Sequence, residues 1–175
     1  VGAAGETRKH ALSILRNQLS TPRHPVKLWP AHRLDRDTSG VMLFSTSREM
    51  HKAVTAKWTE AEKIYLVVVE GCPDPSHGTI DQPLRLDPRG FRTEVGPYAQ
   101  AVKAVTHFET QRSVGGRALL SVRLETGRQH QIRAHLAWLG HAVVGDSRYG
   151  VDDRRMGLHA LRLTITRPGT GKRLT

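Results

Sequence analysis

Two stretches of this chain hold residue types that could act on a substrate. In "AHRLDRDTSGVMLFS", residues 31–45, His32, Arg33, Asp35, Arg36 and Asp37 crowd against a Thr38-Ser39-Gly40 turn. An apolar run, Val41–Phe44, follows at once. A carboxylate fixed on a rigid turn can act as a nucleophile or a general base. Surface pairing of Asp35 and Asp37 with Arg33 and Arg36 would account for the same residues without chemistry. In "TGRQHQIRAHLAWLG", residues 126–140, Arg128 falls in the first turn of a predicted helix, where free N–H groups already favour an anion. Gln129, His130 and Arg133 lie close together there, away from an Ile132/Leu136/Leu139 stripe. The set suits a phosphate or carboxylate partner, with a solvated polar face as the plain alternative.

Other chemistries lack their residues. His130, His135, His141 and His159 fall within a short span. However, His130 and His135 are separated by about 140° round a helix and diverge, unlike an i, i+4 metal pair. His159 is in phase with the apolar positions of a last strand and is expected to be a satisfied buried histidine. No metal site is expected. There is no P-loop, no Gly-rich dinucleotide fingerprint and no G-x-S-x-G elbow, so neither a nucleotide cofactor nor a Ser-His-Asp hydrolase is expected. Cys72 is the single cysteine, which excludes a disulfide framework and a Cys-based zinc cluster and points to a reducing, cytoplasmic setting.

Charge points to the partner. Lys and Arg total 27 against 16 acids in 175 residues, a net charge of +11. That surplus predicts an anionic partner, nucleic acid before a membrane surface, because no basic amphipathic helix with a large aromatic face is visible. No apolar run reaches the roughly 18 residues that a membrane span needs. Three Phe, three Tyr and three Trp are few and scattered, whereas binding of single strands by successive stacking needs clustered aromatics. The pattern fits a protein that grips backbone and handles one base. Tyr65 could pack against that base, or be an ordinary strand tyrosine.

The elements that must position these residues follow from periodicity. Residues 6–19 put Leu12, Leu15 and Leu19 on one helical face. Val41–Phe44 reads as a buried strand. Thr46 to Glu49 has capping-box spacing, and Met50, Val54 and Trp58 predict a helix over about 47–59. "KIYLVVVEG" (63–71) is a strand stopped by Gly71. Residues 72–98, rich in Pro, Gly and Asp, read as loops with a short hairpin. Strands over 104–110 and 118–125 join through Gly115-Gly116, and Leu120, Val122 and Leu124 alternate with Ser121 and Arg123. Thr126 to Gln129 is a second capping box, opening a helix that Gly140 closes. A last strand covers 158–166, with His159, Leu161, Leu163 and Ile165 in phase. The fold class is α+β, a mixed and largely antiparallel sheet flanked by helices, in one domain over 1–175 with no strong internal boundary.

At these residues the chain resembles RluA-type pseudouridine synthases. "HRLDRDTSG" (32–40) is similar to that family's active-site signature, and His32 matches the RluA branch. "KIYLVVVEG" (63–71) resembles its tyrosine motif and "TGRQHQIRAHL" (126–136) its third motif. "VVGDSRYG" (143–150) and "LHALRL" (158–163) also match, so the resemblance spans about residues 7–172. It implies the pseudouridine synthase catalytic fold, a catalytic Asp35, an Arg33 that occupies the space left by a flipped-out base, and a Tyr65 beside the target base. It further implies that Arg133 pairs with the catalytic acid and that Ile132 walls the pocket. His32, Arg128 and His130 are expected to join Arg33 as base-flipping or RNA contacts. The expected substrate is structured RNA, rRNA or tRNA, acted on by a monomer without cofactor. The family's Asn-Lys-Pro-x-Gly segment is not found, no S4-like domain precedes the core, and the tail stops at "TGKRLT". A catalytic domain trimmed at its ends is therefore expected.

The implied chemistry is physically reasonable. Uridine must lose its N1–C1′ bond, turn, and rejoin through C5. A carboxylate can attack or stabilise an oxocarbenium-like sugar, as in retaining glycosidases. Attack of Asp35 on the sugar or on the base satisfies the pattern equally. The base must leave the stack to be reached, at a cost of a few kcal/mol that basic contacts can offset.

Overall fold

A computed structural model describes residues 10–89 and 92–175. In chain order the elements are α1 (Ala11–Leu19), β1 (Trp29–Pro30), β2 (Ser39–Gly40), β3 (Phe44–Ser45) and α2 (Arg48–Ala56). A 3-10 turn, Trp58–Glu60, precedes β4 (Glu62–Glu70), β5 (His77–Asp81), β6 (Leu84–Leu86) and β7 (Thr93–Val95). There follow β8 (Val105–Val114), β9 (Arg117–Leu124), α3 (Gln131–Trp138), β10 (Leu158–Thr166) and β11 (Arg173–Leu174). The chain packs as two units. The smaller takes in the described residues up to Leu34, Met42–Ala61 and Ile165–Leu174, and the larger takes in Asp35–Val41, Glu62–Thr164 and Thr175.

In the larger unit β10, β4, β9, β8 and β5 lie side by side in that order, every pair antiparallel. β2 adds the parallel pair, Ser39 opposite His159 and Gly40 opposite Ala160, so the sheet is mixed as the sequence predicts. Alternation puts Val67 and Val69 of β4 and Ala118, Leu120, Val122 and Leu124 of β9 on one face, where Ile132 and Leu136 of α3 complete the core. Each such Val or Leu contributes about 1.5–3 kcal/mol on burial. The hairpin β6–β7 carries Leu84 and Val95, which pack with Ala104, Ala134 and Tyr149 in a second cluster.

In the smaller unit β1 and β3 pair antiparallel, Trp29 opposite Ser45. Ser47 caps α2 by accepting the Met50 N–H at 3.1 Å, one residue later than the predicted Thr46. The end of β10 pairs with β11 at Ile165 and Leu174. α1 starts at Ala11 behind a His10 cap and buries none of its residues; the predicted residues 6–9 of this helix lie outside the described residues.

Three expectations need correction. Val41–Phe44 is not a buried strand: Val41 is exposed, and strands form only at Ser39–Gly40 and Phe44–Ser45. What fixes the turn is backbone pairing to β10, including the Val41 N–H to the Ala160 carbonyl at 2.9 Å. The second correction is that α3 starts at Gln131 rather than near Thr126. The Thr126 hydroxyl accepts the Val105 N–H and donates to Gln131 Oε1, tying strands to helix instead of capping it. The third is the phase of β10. A bulge between Ala160 and Arg162 shifts the register, so Leu158, Ala160, Thr164 and Ile165 are buried while His159 and Leu161 are exposed.

Gly40 carries the close approach that this pairing requires. Its φ is +115°, and a Cβ there would run into the Ala160 carbonyl oxygen and lie 2.6 Å from its nitrogen. Gly40→Ala is expected to cost about 2 kcal/mol or more, through strain and loss of the parallel pair. Urea unfolding of the variant measures this, and an unchanged midpoint would contradict it.

Candidate active site

The turn ahead of β2 presents the first group. The Thr38 N–H donates to the Asp35 carbonyl at 3.1 Å, closing a turn over Arg36 and Asp37. The Ser39 hydroxyl meets His159 Nδ1 at 2.9 Å and accepts from Arg155 Nη2 at 3.2 Å, which pins the turn to β10. Arg36 and Asp37 do pair on the surface, at 3.3 Å, but Asp35 does not join them. Its Oδ2 accepts a hydrogen bond from Arg133 Nη1 at 2.8 Å.

Arg133 is the third residue of α3. That helix is buried almost all round, from Gln131 to Leu136, so the arginine does not sit on a solvated polar face. Its other edge donates Nε to Asp146 Oδ2 at 2.7 Å and Nη2 to Asp146 Oδ1 at 2.8 Å, a bidentate fork. Asp146 is 0% exposed, Arg133 9% and Asp35 19%, so the outer carboxylate alone faces any ligand. Asp146 Oδ1 also accepts the N–H groups of Arg148 and Tyr149 at 3.0 and 3.2 Å. The preceding Gly145 has φ +73°, and a Cβ there would collide with the Arg155 carbonyl.

The charges reinforce one another. Burial alone would lower the pKa of Arg133, but its hydrogen bonds to Asp146 and Asp35 outweigh this and raise it. Burial pushes the Asp146 carboxyl up, and the Arg133 hydrogen bond more than reverses this, leaving it below its usual value. Tyr65, half-buried on β4, has its pKa raised by burial first and then by the Asp35 charge, which places its phenol within the field of that carboxylate. Ile132 is buried in the main core beneath the same helix.

The remaining predicted contacts divide. His130 stands beside Asp35, its Nε2 3.8 Å from Oδ2, with its side chain only 10% exposed. This is a pocket position rather than a surface contact. Arg128 is exposed but precedes the helix; its Nε donates to the Lys103 carbonyl at 3.1 Å, and its N–H goes to Gln131 Oε1. In the smaller unit Arg33 is exposed. His32 there is half-buried, stacks on Trp58 at 4.9 Å between centroids and accepts the Leu43 N–H at 3.1 Å, a packing role. His135 is fully buried between the Thr106 hydroxyl and the Gln82 carbonyl. Among the described residues no cluster of three His, Cys, Asp or Glu side chains could hold a metal ion. Asp146 and Tyr149 received no role from sequence. The available signal was a lone acid directly after Val143-Val144-Gly145, which, if buried, needs a cationic partner.

A family model described as RNA pseudouridylate synthase matches residues 3–138. The chain belongs to the RNA pseudouridylate synthase family. It is 35% identical over 184 residues to an uncharacterized RNA pseudouridine synthase of Mycobacterium bovis, covering 99% of this chain and 59% of that protein. A Zymomonas mobilis RNA pseudouridine synthase is 38% identical over 163 residues, covering 87% and 74%. The chain thus spans less than two thirds of the mycobacterial relative. Among solved structures, human RNA pseudouridylate synthase domain containing 4 superposes with a TM-score of 0.71 at 26% identity, covering 87% of this chain and 72% of that one. The human domain containing 1 protein gives 0.77 at 23% identity over 85% and 68%, a likeness of fold. The α+β pseudouridylate synthase fold thus carries the Asp35–Arg133–Asp146 assembly. No helix among the described residues is long and apolar enough to cross a membrane.

Arg133→Ala would strand one fully buried carboxylate and one partly buried one. We expect it to cost about 3–5 kcal/mol, the scale for removing one partner of a buried ion pair. Denaturant unfolding checks this, and a loss below about 1 kcal/mol would show that the assembly does not hold the site together.

Proposed function

We propose that this chain is the catalytic core of an RNA pseudouridine synthase in which Asp35 is the catalytic carboxylate. The observation that carries the reading is the guanidinium of Arg133, bonded on one edge to a fully buried Asp146 and on the other to an Asp35 that stays partly open. Arg133 pairs with Asp35 at 2.8 Å and fixes the direction of its carboxylate, as a positioned nucleophile requires. Tyr65 lies close enough to flank the target base, and Ile132 backs the pocket floor. Arg33, exposed ahead of the turn, is the arginine that enters the vacated space in the stack, with Arg128 meeting the backbone. The base departs as the N1–C1′ bond breaks with its electrons on N1. It turns, C5 bonds to C1′, the C5 proton is lost and N1 gains one. Atoms balance without a cofactor or an external donor.

A nucleosidase would need a second carboxyl as acid. Asp146 is fully buried, doubly bonded to Arg133 and held below its usual pKa, and Asp37 sits on the surface with Arg36, so neither fits. The net charge of +11 supports RNA as the partner. The finer proposals are that the substrate is rRNA or tRNA, that the protein works as a monomer, and that it works in the cytoplasm, where an exposed free Cys72 is compatible with reducing conditions.

Asp35→Asn keeps size and shape but removes charge and nucleophile. It is expected to fold, to bind RNA within about twofold of the parent, and to form pseudouridine at less than about a tenth of the parent rate. Nucleoside mass spectrometry of treated uridine-containing RNA reads this directly, and free uracil as product would favour the nucleosidase. Binding is also expected to weaken with salt, with a log–log slope near −0.7 to −0.9 per phosphate neutralised. A slope near zero would remove RNA backbone as the main contact.

A further inference from the structure

His130 is held more firmly than an RNA contact needs. It is the residue before α3, and its φ of +54° is left-handed, a conformation that non-glycine residues adopt at a cost. Its Nδ1 lies 3.0 Å from the Tyr149 hydroxyl. That hydroxyl already accepts the Thr93 N–H at 2.6 Å, and Thr93 Oγ1 donates to the Gln129 carbonyl at 2.8 Å. The Tyr149 proton has two acceptors within reach, His130 Nδ1 and Thr93 Oγ1, whose own proton goes to Gln129, and the 3.0 Å contact favours His130. With Nδ1 accepting, the ring carries its proton on Nε2, which faces Asp35 Oδ2 at 3.8 Å, longer than a hydrogen bond. Oδ2 is also the oxygen bonded to Arg133.

We propose that His130 is a positioning residue: its uncharged ring, turned by the Tyr149 hydroxyl so that Nε2–H points at Asp35, closes on Oδ2 when substrate binds, steadies that oxygen together with Arg133 and leaves Oδ1 as the reacting oxygen. This rests on Asp35 being the catalytic carboxylate. The titratable and charged groups around the ring are Asp35, Arg133, Asp146, Arg148 and Tyr149. Burial first, then Arg133 and Arg148, lower the His130 pKa against the opposing pull of Asp35 and Asp146, in keeping with a neutral ring. The ring of Tyr149 is itself held edge-on to His130, centroids 5.8 Å apart, and beneath the Arg133 guanidinium at 5.2 Å. The proposal differs from an RNA contact in what it should alter: the chemical step rather than binding.

The test joins spectroscopy to kinetics. In ¹⁵N-histidine-labelled protein at neutral pH, His130 is expected to show an unprotonated Nδ1 and a protonated Nε2, and Tyr149→Phe is expected to erase that preference. A parent ring protonated on Nδ1, or on both nitrogens, would overturn the proposal whether or not pseudouridine is made. In the assay, His130→Asn cannot reach Asp35 and is expected to lower kcat about a hundredfold, the scale of a ~1 Å misplacement, with KM for RNA unchanged. His130→Gln, whose amide can stand where Nε2–H stood, is expected to recover most of that loss. If His130→Asn fails to fold, Tyr149→Phe carries the kinetic arm and should lower kcat at constant KM. A rise in KM at constant kcat would instead assign His130 to RNA binding and overturn the proposal. An inactive parent with the expected tautomer would count against the proposed function and leave the orientation of His130 standing.

Discussion

One guanidinium between two carboxylates organises this site. Arg133 cannot satisfy its donors in the core without Asp146, and Asp146 cannot be buried without Arg133. Once that fork is made, the third face of the guanidinium is fixed in direction, and it meets Asp35. The requirement spreads outward. α3 must lie buried on the sheet to carry Arg133 inward. The loop after Val144 must turn at Gly145 to bring Asp146 beneath the helix, and β2 must press against β10 through Gly40 to bring Asp35 to the free edge. Segments 98 and 13 residues away are thereby held to one side chain.

The division of labour among the acids follows from exposure. Asp146 is sealed, tied by four donors, and serves as the counter-ion that keeps Arg133 in place. Asp35 has one strong bond and an open side. A single guanidinium shared by two carboxylates grips the inner one with a fork and the outer one with one bond, which leaves Asp35 partly open. His130 and Tyr65 flank Asp35.

Much of this was legible in the sequence where a local rule and the tertiary demand agree. β9 alternates cleanly because one face of it meets the core, and β10 has the predicted ends. The contact of Asp35 with Arg133 was expected from the family resemblance. Residue types alone left surface pairing equally open, and Arg36 and Asp37 do pair that way. Failures fell where long-range contacts override local pattern. Val41–Phe44 is apolar, yet its backbone is split between two partners, Val41 bonding to a strand over a hundred residues away and Leu43 to Ala31 and His32. Thr126 has the spacing of a cap but bonds to Val105 and Gln131 instead. A bulge after Ala160 moved His159 from the predicted core to the surface, where it meets Ser39. Asp146 and Tyr149 depend on neighbours that no local window contains.

The rate of pseudouridine formation by Arg133→Lys tests the central claim most directly. Lysine keeps the charge but is a single-headed donor, unable to bond Asp146 in a fork and Asp35 at once. The account predicts a folded protein that still binds RNA and forms pseudouridine at least about a hundredfold more slowly than the parent, because Asp35 is no longer held in place. A rate within about threefold of the parent would contradict it, since a charge anywhere nearby would then suffice.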